Sequence, residues 1–445
     1  MRPIDELVLE DGAYQHRTLF WNEDIYEAEL EQIFSRSWLF LTHESLIPEP
    51  GDYNTTRMGE DRVIVIRQTD GSIRAFINSC PHRGNTVCHA DAGNARQFTC
   101  SYHGWSFAAD GSLAAVPLEQ DAYFNEIDKA QFGLRQVPQV ASYKGMVFGS
   151  FDRLAPPLEE YLGDMRWYLD VLLDVPGGIE LIGPPMKSIL NCNWKTPAEN
   201  FGGDDYHFGW THAAGVAVMG GPLQMLSGNA QVPPEVGFQV GSRYGHIFGL
   251  IEQGASALQV WPEWREQYEA WLNSRLPGLV EKFGADRARF YKGHWNANIF
   301  PNCSFLYGTN TFKVWQPRGP RAIEVYTWTL VEKEMPEELK QMHHRSNAAT
   351  FGTAGMLESD DGENFEECTQ NNRGFNTRQD YYYTGMGRGH EGPHPEMPGI
   401  ISESLVAETG LRNFYRTWAR MVNGDDWTRI GAPATAPLSG LRAVK

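Results

Sequence analysis

The spacing of apolar residues changes along the chain, and each change marks a different kind of secondary structure. Residues 24–41 place apolar side chains at helical intervals after an aspartate, which predicts an amphipathic helix. Proline and glycine at 48–53 end that pattern. Residues 62–77 and 107–117 then read as hairpins that each turn at an Asp-Gly pair. The chain from about 40 to 155 is therefore predicted to be rich in strands.

Beyond residue 155 the apolar spacing alternates between the helical and the strand period. The segment 155–174 opens with prolines and continues with apolar residues at helical spacing. Residues 188–195 and 322–333 are predicted to be strands, and residues 335–368 and 405–422 are predicted to be helices.

Together these patterns predict an α+β protein in which a small all-β domain, residues 40–155, is inserted into a larger α+β domain. The larger domain would consist of an N-terminal helical segment, 1–39, and residues 156–445, with an antiparallel sheet flanked by helices. At 445 residues the chain is long enough for each domain to bury a core of its own.

Net charge and cysteine content limit the kinds of binding partner and the cellular compartment that we expect. The formal net charge of −18 repels nucleic acid and anionic membranes, so neither is an expected partner. The acidic N-terminus lacks the apolar core of a secretory signal, and no run approaches the roughly 18 apolar residues of a membrane span. The six cysteines are scattered and do not suggest a disulfide framework, so we expect a reducing, cytoplasmic setting.

Two of the cysteines lie in short motifs that pair a cysteine with a histidine, CPHRG and CSYHGW. The candidate ligands are Cys80 and His82 in the first motif, and Cys100 and His103 in the second. Such a set can bind one tetrahedral zinc, or a Rieske [2Fe–2S] cluster in which the cysteines hold one iron and the histidines the other. Each motif supplies one residue of each type, and this mixed order favours the cluster.

The residues around the two motifs refine this interpretation. Gly84 and Gly104 follow the ligand turns, where a glycine would let the backbone approach the sulfides. The neighbouring pair Cys88 and His89 is predicted to lie outside the ligand set, with Cys88 as a buried free thiol.

A second metal site is indicated by ENFGGDDYHFGWTH, residues 199–212. Two histidines and one carboxylate form the usual arrangement around non-heme iron(II). On a regular helix His207 and His212 would point about 140° apart, so we predict that the helix is distorted between them. Asp204 is placed to orient the imidazole of His207 rather than to bind metal, and Asp205 is predicted to point away.

The third iron ligand must come from elsewhere in the chain, and the segment 351–368 offers Asp360 and Asp361. Asp361 is preferred, because it interrupts an otherwise apolar helical stripe of Leu357, Phe365 and Cys368, and a buried carboxylate needs a partner such as a cation. The alternative for this segment is a solvated acidic turn.

In this order, the two motifs resemble the α subunit of the Rieske non-heme iron aromatic ring-hydroxylating dioxygenases. The likeness runs over nearly the whole chain and is strongest to the naphthalene-type branch, notably in CSYHGWSF, NWKTPAENFGGDDYHFGWTH and RNFYRTWARMV. The resemblance implies that Cys80, His82, Cys100 and His103 hold the cluster. It makes His207, His212 and Asp361 the ligands of the mononuclear Fe(II), and Asp204 the bridge for electron transfer between the sites.

The resemblance also implies a substrate pocket that is mostly apolar and contains no lysine or arginine. The implied lining residues are Asn200, Phe201, Phe208, His294, Asn296, Leu306, Phe351 and Leu357. Without a cation to pair a carboxylate, such a pocket favours an uncharged mono- or polycyclic arene over an aromatic acid. Leu357 stands where naphthalene-type enzymes usually carry tryptophan, and Phe208 is larger than their usual residue.

The reaction that the resemblance implies is the addition of both atoms of O2 to an aromatic ring, giving a cis-dihydrodiol. Electrons would come from a ferredoxin, a reductase or both, and the chain shows no flavin or nicotinamide fingerprint of its own. The assembly would be a ring of three α subunits, often with three small β subunits, in which His103 of one copy meets Asp204 of the next.

Alternative functions use the same motifs. A Rieske monooxygenase or demethylase, or a hydroxylase of an aromatic acid, would share both metal sites. From a different class, a Rieske electron carrier would use the cluster alone.

Overall fold

The computed structural model describes residues 3–219 and 236–432. Residues 1–2 of the predicted segment 1–39, and residues 220–235 and 433–445 of the predicted segment 156–445, lie outside the described residues. The chain divides into two compact units. One contains residues 34–158, and the other combines 1–33 with 159–445. The smaller unit therefore begins at residue 34 rather than 40, and ends at 158 rather than 155.

The smaller unit is built from short antiparallel sheets. A four-stranded sheet has the spatial order Ile73–Ile77, Asp61–Arg67, Asp52–Met58 and Ala92–Asn94. Two three-stranded sheets have the orders Leu113–Ala115, Ser106–Ala108, Gln97–Thr99 and Gln139–Tyr143, Met146–Ser150, Leu39–His43.

Both hairpins predicted from Asp-Gly pairs are confirmed. In each turn the aspartate side chain accepts a hydrogen bond from the backbone N–H two residues on, over 2.9 Å at Asp70 and 3.0 Å at Asp110. Such Asx turns fix where the strands reverse, and so fix the register of the strands that follow.

The larger unit is organised around one nine-stranded sheet whose neighbouring strands are all antiparallel. In spatial order the strands are Ile179–Leu190, Ile323–Glu332, Thr311–Pro317, Cys303–Tyr307, His294–Ile299, Ile247–Ile251, Gly237–Gly241, Ile400–Ser402 and Gly392–Pro393. Val8–Leu9, Tyr14–His16 and Tyr381–Tyr383 form a separate three-stranded sheet.

Helices pack against the nine-stranded sheet, notably Lys195–Gly203 and Thr409–Val422, which also contact each other. The α+β class with a helix-flanked antiparallel sheet is thereby confirmed. The remaining α-helices of the larger unit are Ile4–Leu7, Glu23–Glu29, Met165–Leu173, Phe208–Thr211, Ala213–Val218, Ala255–Leu258, Arg265–Phe283, Ala285–Ala288, Glu337–Thr350, Met356–Asn371 and Trp427–Ile430. Leu158–Leu162 begins at the boundary, and Glu119–Tyr123 belongs to the smaller unit.

The helix predicted over 24–41 is only partly correct. The α-helix covers Glu23–Glu29 and continues as a π-helical turn over Leu30–Phe34. Leu39–His43 is instead a strand, paired with Met146–Ser150 and buried along its whole length. A strand buried on both faces shows no alternation, so its apolar run could not be told from a helix by spacing.

Two further predicted elements have different bounds. The helix expected over 335–368 is two helices, separated at Phe351–Gly355. The strand expected over 188–195 ends at Leu190, and Lys195 begins the next helix. No helix within 3–219 or 236–432 is both long and apolar enough to cross a bilayer.

Candidate active site

The predicted distortion between the two site histidines is confirmed. The helix Lys195–Gly203 ends before Asp204, whose ψ of 70° is not helical, and short helices then follow at Phe208–Thr211 and Ala213–Val218. Because the chain is not a continuous helix here, the two imidazoles turn toward each other. Nε2 of His207 lies 3.2 Å from Nε2 of His212.

Asp361 completes this group from the helix Met356–Asn371. Its Oδ1 lies 3.2 Å from Nε2 of His212 and 3.5 Å from Nε2 of His207. Asp361 is buried, and Oδ1 has no hydrogen-bond partner. Among the described residues, these three form the single group of three or more His, Cys, Asp or Glu side chains whose ligand atoms converge within 4.8 Å.

The chemistry of this group fits a divalent metal. Two imidazole nitrogens and one carboxylate oxygen meet at one point, and the carboxylate oxygen is buried without a partner, as a missing cation would leave it. Burial raises the pKa of Asp361, but the two imidazoles lower it by more, to about 2. Burial alone would lower the pKa of His207, but Asp204 and Asp361 raise it well above its usual range. Protons therefore occupy the place of a cation when none is bound, so metal binding must release them.

The Nδ1 nitrogens of the two imidazoles, which face away from the converging ligand atoms, also have polar contacts. Nδ1 of His207 hydrogen-bonds the backbone carbonyl of Asp204 and lies 3.5 Å from Oδ2 of the Asp204 carboxylate. Asn200 places its side-chain amide 3.3 Å from the same Nδ1. Nδ1 of His212 lies 3.4 Å from Oδ2 of Asp360. Contacts of this kind fix the ring orientation of metal-ligating histidines.

Asp360, which the sequence offered as a ligand candidate second to Asp361, instead contacts the outward nitrogen of His212. The expectation that Asp205 points away is wrong. Its carboxylate is buried and lines the cavity beside the histidines, where Gln239 Nε2 donates to it over 2.5 Å. The helix ends at Gly203, so helical spacing did not apply to Asp205.

The expected apolar stripe on the Asp361 helix is confirmed in part. Leu357 and Phe365 are buried, as is Asp361. Cys368 is exposed, and Thr369 takes the buried position instead, because it continues the four-residue spacing from Phe365.

A partly open cavity lies next to the histidines. All eight residues implied for the substrate pocket line it: Asn200, Phe201, Phe208, His294, Asn296, Leu306, Phe351 and Leu357. Asp204, Asp205, Gln259 and Thr309 line it as well, and the last two carried no sequence signal. Among the described lining residues there is no lysine or arginine. Burial lowers the pKa of His294 to about 4, so this imidazole is neutral near pH 7.

In the smaller unit, the two Cys-His motifs form a pair of matching loops. The N–H of Gly84 donates to the carbonyl of Cys80 over 2.8 Å, and the N–H of Gly104 donates to the carbonyl of Cys100 over 3.0 Å. Both glycines have φ near +75°, a left-handed conformation that a side chain would strain. A Cβ at Gly104 would also lie 2.8 Å from Pro117.

The loops bring the four candidate ligands together. Cys80 and Cys100 are buried and hydrogen-bond each other, and the rings of His82 and His103 lie 4.6 Å apart. Nδ1 of His82 is buried without a hydrogen-bond partner, and the His82 ring stacks on Trp105. A pair of buried, hydrogen-bonded thiols and a pair of neighbouring imidazoles, one with an unpartnered nitrogen, are the ligand types of a Rieske cluster.

The loop backbone also favours a thiolate. Burial raises the pKa of the Cys80 thiol, and the hydrogen bond that this thiol donates to Cys100 adds to the increase. For Cys100, burial acts in the same direction, but the backbone N–H of Tyr102 and the Asn85 amide outweigh it and lower the pKa. Thiolates are the form that binds metal. Cys88 is a buried free thiol, as predicted, and His89 is exposed.

Comparison with known proteins identifies both units. Residues 37–143 match the Rieske [2Fe-2S] domain, and residues 158–424 match the catalytic domain of the ring-hydroxylating α subunit. The large oxygenase component of a naphthalene 1,2-dioxygenase system from Pseudomonas aeruginosa is 45% identical over 426 residues, which are 95% of each chain. The chain belongs to the ring-hydroxylating dioxygenase α subunits.

Further relatives support the assignment of this chain to the ring-hydroxylating dioxygenase α subunits. The large oxygenase component of a 2,4-dinitrotoluene dioxygenase system from a Burkholderia species is 41% identical, over 95% of this chain and 94% of that protein. A crystal structure of a naphthalene 1,2-dioxygenase variant bound to phenanthrene superimposes with a TM-score of 0.91 at 43% identity, covering 95% of each chain.

As a ring-hydroxylating dioxygenase α subunit, the protein is a terminal oxygenase that uses a Rieske [2Fe–2S] cluster and a mononuclear non-heme iron. The zinc alternative for the Cys-His motifs and the electron-carrier alternative are therefore wrong. Its relatives are the large components of multi-component systems. Electron donors and a cis-dihydrodiol product are typical of the family.

A carboxyl group close to Asp204 predicts how stability depends on pH. Glu199 is partly buried in the helix Lys195–Gly203 and accepts a hydrogen bond from the hydroxyl of Tyr415. Burial raises the pKa of Glu199 to about 8, and the nearby charge of Asp204 adds to the increase. Between pH 5 and 8 the folded state therefore holds a proton that the unfolded state has lost. The free energy of unfolding should fall with rising pH, by at most about 1.4 kcal/mol per pH unit from this group.

Glu199→Gln should remove this part of the pH dependence, because the amide resembles the protonated acid. We expect the melting temperature of the variant to exceed that of the wild type increasingly from pH 5.5 to 8. Thermal unfolding of the metal-loaded protein measures this, and Glu281→Gln at an exposed position is the matched control. A difference between variant and wild type that is constant with pH would contradict the assignment.

Proposed function

We propose that His207, His212 and Asp361 hold the mononuclear iron, and that the chain dihydroxylates an uncharged aromatic hydrocarbon beside it. The observation that carries this proposal is the convergence of two imidazole nitrogens and an unpartnered carboxylate oxygen at the wall of a cavity free of cationic side chains among its described residues. Three ligands from the protein leave other coordination positions open, which suits non-heme iron oxygenases.

The cluster, in this proposal, is held by Cys80 and Cys100 on one iron and by His82 and His103 on the other. The matching loops, the paired buried thiols and the unpartnered Nδ1 of His82 support the assignment. When bound, the iron supplies the oxygen chemistry and the cluster supplies electrons one at a time.

The protein itself orients the metal ligands and the substrate, and it excludes water from the cavity. Asn200 and Asp204 fix the ring of His207, and Asp360 fixes the ring of His212, so that both Nε2 atoms point to one spot. The aromatic wall of Phe201 and Phe351, whose rings meet edge to face at 5.5 Å, then holds a flat apolar ring against that spot.

The cavity chemistry disfavours an aromatic acid as substrate. Lysine and arginine are missing from its described lining, and the wall contains the carboxyl group of Asp205. Burial raises the pKa of this group to about 7, so a substantial fraction is ionised at neutral pH and would repel a second carboxylate.

We further propose that Asp204 transfers electrons between centres in different copies of the chain, within an α3 or α3β3 ring that receives electrons from a ferredoxin or reductase. Asp204 contacts His207 on one side, while its side chain stays 32% exposed, and His103 is exposed on its loop. Both groups are therefore accessible to a neighbouring copy.

Product analysis under ¹⁸O2 tests the function. The reconstituted system, supplied with reduced ferredoxin, should convert two- to four-ring arenes to cis-diols in which both oxygens carry label. Benzoate and salicylate should give no product. A product with a single labelled oxygen would support the monooxygenase alternative, and turnover of the acids would contradict the proposed substrate class.

A further inference from the structure

A buried ion pair lies directly behind the active site. Lys313, on the strand Thr311–Pro317, is fully buried, and its Nζ donates to Oε2 of Glu358 over 2.6 Å. Glu358 is 5% exposed and lies on the helix that carries Asp361. Neither residue lines the cavity. A buried pair of this kind is costly to desolvate, so it adds little net stability compared with apolar residues.

The other two hydrogen bonds of the Lys313 ammonium show what the pair connects. Nζ donates over 3.0 Å to the backbone carbonyl of Phe351 and over 3.1 Å to the hydroxyl of Thr327. Thr327 is the cross-strand neighbour of Lys313, so it fixes the ammonium to the sheet. All three donors of the ammonium are thus used.

These contacts bridge the break between two helices. Phe351 caps the end of the helix Glu337–Thr350, and Glu358 lies in the first turn of the helix Met356–Asn371. The ammonium holds the chain on both sides of the break. It also lies 5.5 Å from the ring of Phe201, which packs on Phe351.

The residues on either side of the break, Phe351 and Asp361, have different roles in the proposed reaction. Phe351 forms part of the wall against which an arene would lie. Asp361, one helical turn after Glu358, would hold the iron. The distance between this wall and the metal decides which carbons of a bound ring come closest to the reacting oxygen, and displacements of about 1 Å can change rates about 10²-fold.

We infer that Lys313 is a positioning residue that sets the spacing between Phe351 and Asp361, and thereby the regiochemistry of ring hydroxylation. This inference rests on the proposed function. The ammonium acts through a carbonyl and a carboxylate, and touches neither substrate nor metal. Its three partners lie on three different elements, so removing it frees each of them to shift independently.

The double variant Lys313→Met with Glu358→Gln tests this without leaving an unpaired charge in the core. We expect it to fold, to keep its iron and the visible absorption of its cluster, and to give a changed ratio of diol isomers from an arene with several inequivalent ring bonds, such as phenanthrene. We also expect kcat/KM to fall about 10-fold or more, and more of the O2 consumed to appear as peroxide.

A matched control is available at Lys340 and Glu180, a partly buried pair whose Nζ–Oε1 distance is 2.5 Å. Lys340→Met with Glu180→Gln removes an ion pair of the same type whose contacts lie away from the cavity. It should leave the isomer ratio and the coupling of O2 to product unchanged.

Thr327→Val provides a milder variant that removes one hydrogen bond and keeps the charges, should the double variant fail to fold. It should change the isomer ratio in the same direction by a smaller amount. An unchanged isomer ratio in iron-loaded Thr327→Val and in any folded double variant would overturn the inference while leaving the dioxygenase function standing. Absence of diol from the wild type would instead overturn the function.

Discussion

Substitution of Asp361 by alanine is expected to remove the mononuclear iron while leaving the Rieske cluster in place. Asp361 supplies the one carboxylate in the converging group, and its Oδ1 has no other partner to retain it. Without this charge, two neutral imidazoles must hold a divalent cation alone. Iron content should fall from about three to about two per chain, and the cluster absorption should persist because its ligands lie in the other unit.

The turnover rate should fall because the mononuclear iron is lost. Loss of an orienting partner alone typically costs about 10- to 100-fold in metal affinity or activity, so loss of a ligand should cost more than about 100-fold. Asp360→Ala is the matched control, because it removes the adjacent carboxylate that only faces Nδ1 of His212. We expect this variant to keep iron and part of its activity. If Asp361→Ala bound iron as tightly as the wild type, the proposed ligand set would be wrong.

The parts of the site that the sequence predicted are those fixed by local spacing. Each Cys-His motif lies within one tight loop, so the order of its residues already placed the ligands side by side. Asp361 could be chosen over Asp360 because four-residue spacing aligned it with Leu357 and Phe365, and a carboxylate on a buried face requires compensation. The distortion between His207 and His212 followed from the mismatch between a five-residue interval and the helical turn.

The parts that could not be predicted depend on contacts between distant elements. Asp205 enters the cavity because the preceding helix stops early and Gln239, from a strand, binds its carboxylate. Lys313 has no local signal, because its partners lie 14, 38 and 45 residues away along the chain. The contacts of such residues form only when the sheet and the helices pack together, so a local stretch of sequence does not reveal them.

The strand Leu39–His43 shows a related limit. Its side chains are buried on both faces, so its pattern shows no alternation and merges with that of the preceding helix. Whether this segment forms a strand or a helix depends on its pairing with Met146–Ser150, more than a hundred residues later in the chain. Long-range pairing of this kind has no signature in a single window of sequence.

Asp204→Asn should leave both metal centres bound and yet slow product formation by more than about 100-fold, since turnover depends on how well electrons reach the iron. The carboxylate of Asp204 lies 3.5 Å from Nδ1 of His207, while the backbone carbonyl of Asp204 also hydrogen-bonds this nitrogen. The carbonyl remains in the variant, so the ring orientation and the iron should be retained. The amide lacks the negative charge and replaces one of the two acceptor oxygens with a donor NH2 group.

Stopped-flow measurement of the cluster absorption separates the proposed bridge from a structural role. Reduction of the cluster by the electron donor should proceed at the wild-type rate, whereas its reoxidation on mixing with arene and O2 should be slow. Asp205→Asn makes the same chemical change one residue away, inside the cavity, and should leave reoxidation fast even if it alters the choice of arene. Because Asp204 contacts the His207 imidazole whereas Asp205 accepts a hydrogen bond from Gln239, slow reoxidation confined to Asp204→Asn would locate the path at Asp204. Wild-type reoxidation in Asp204→Asn would exclude it.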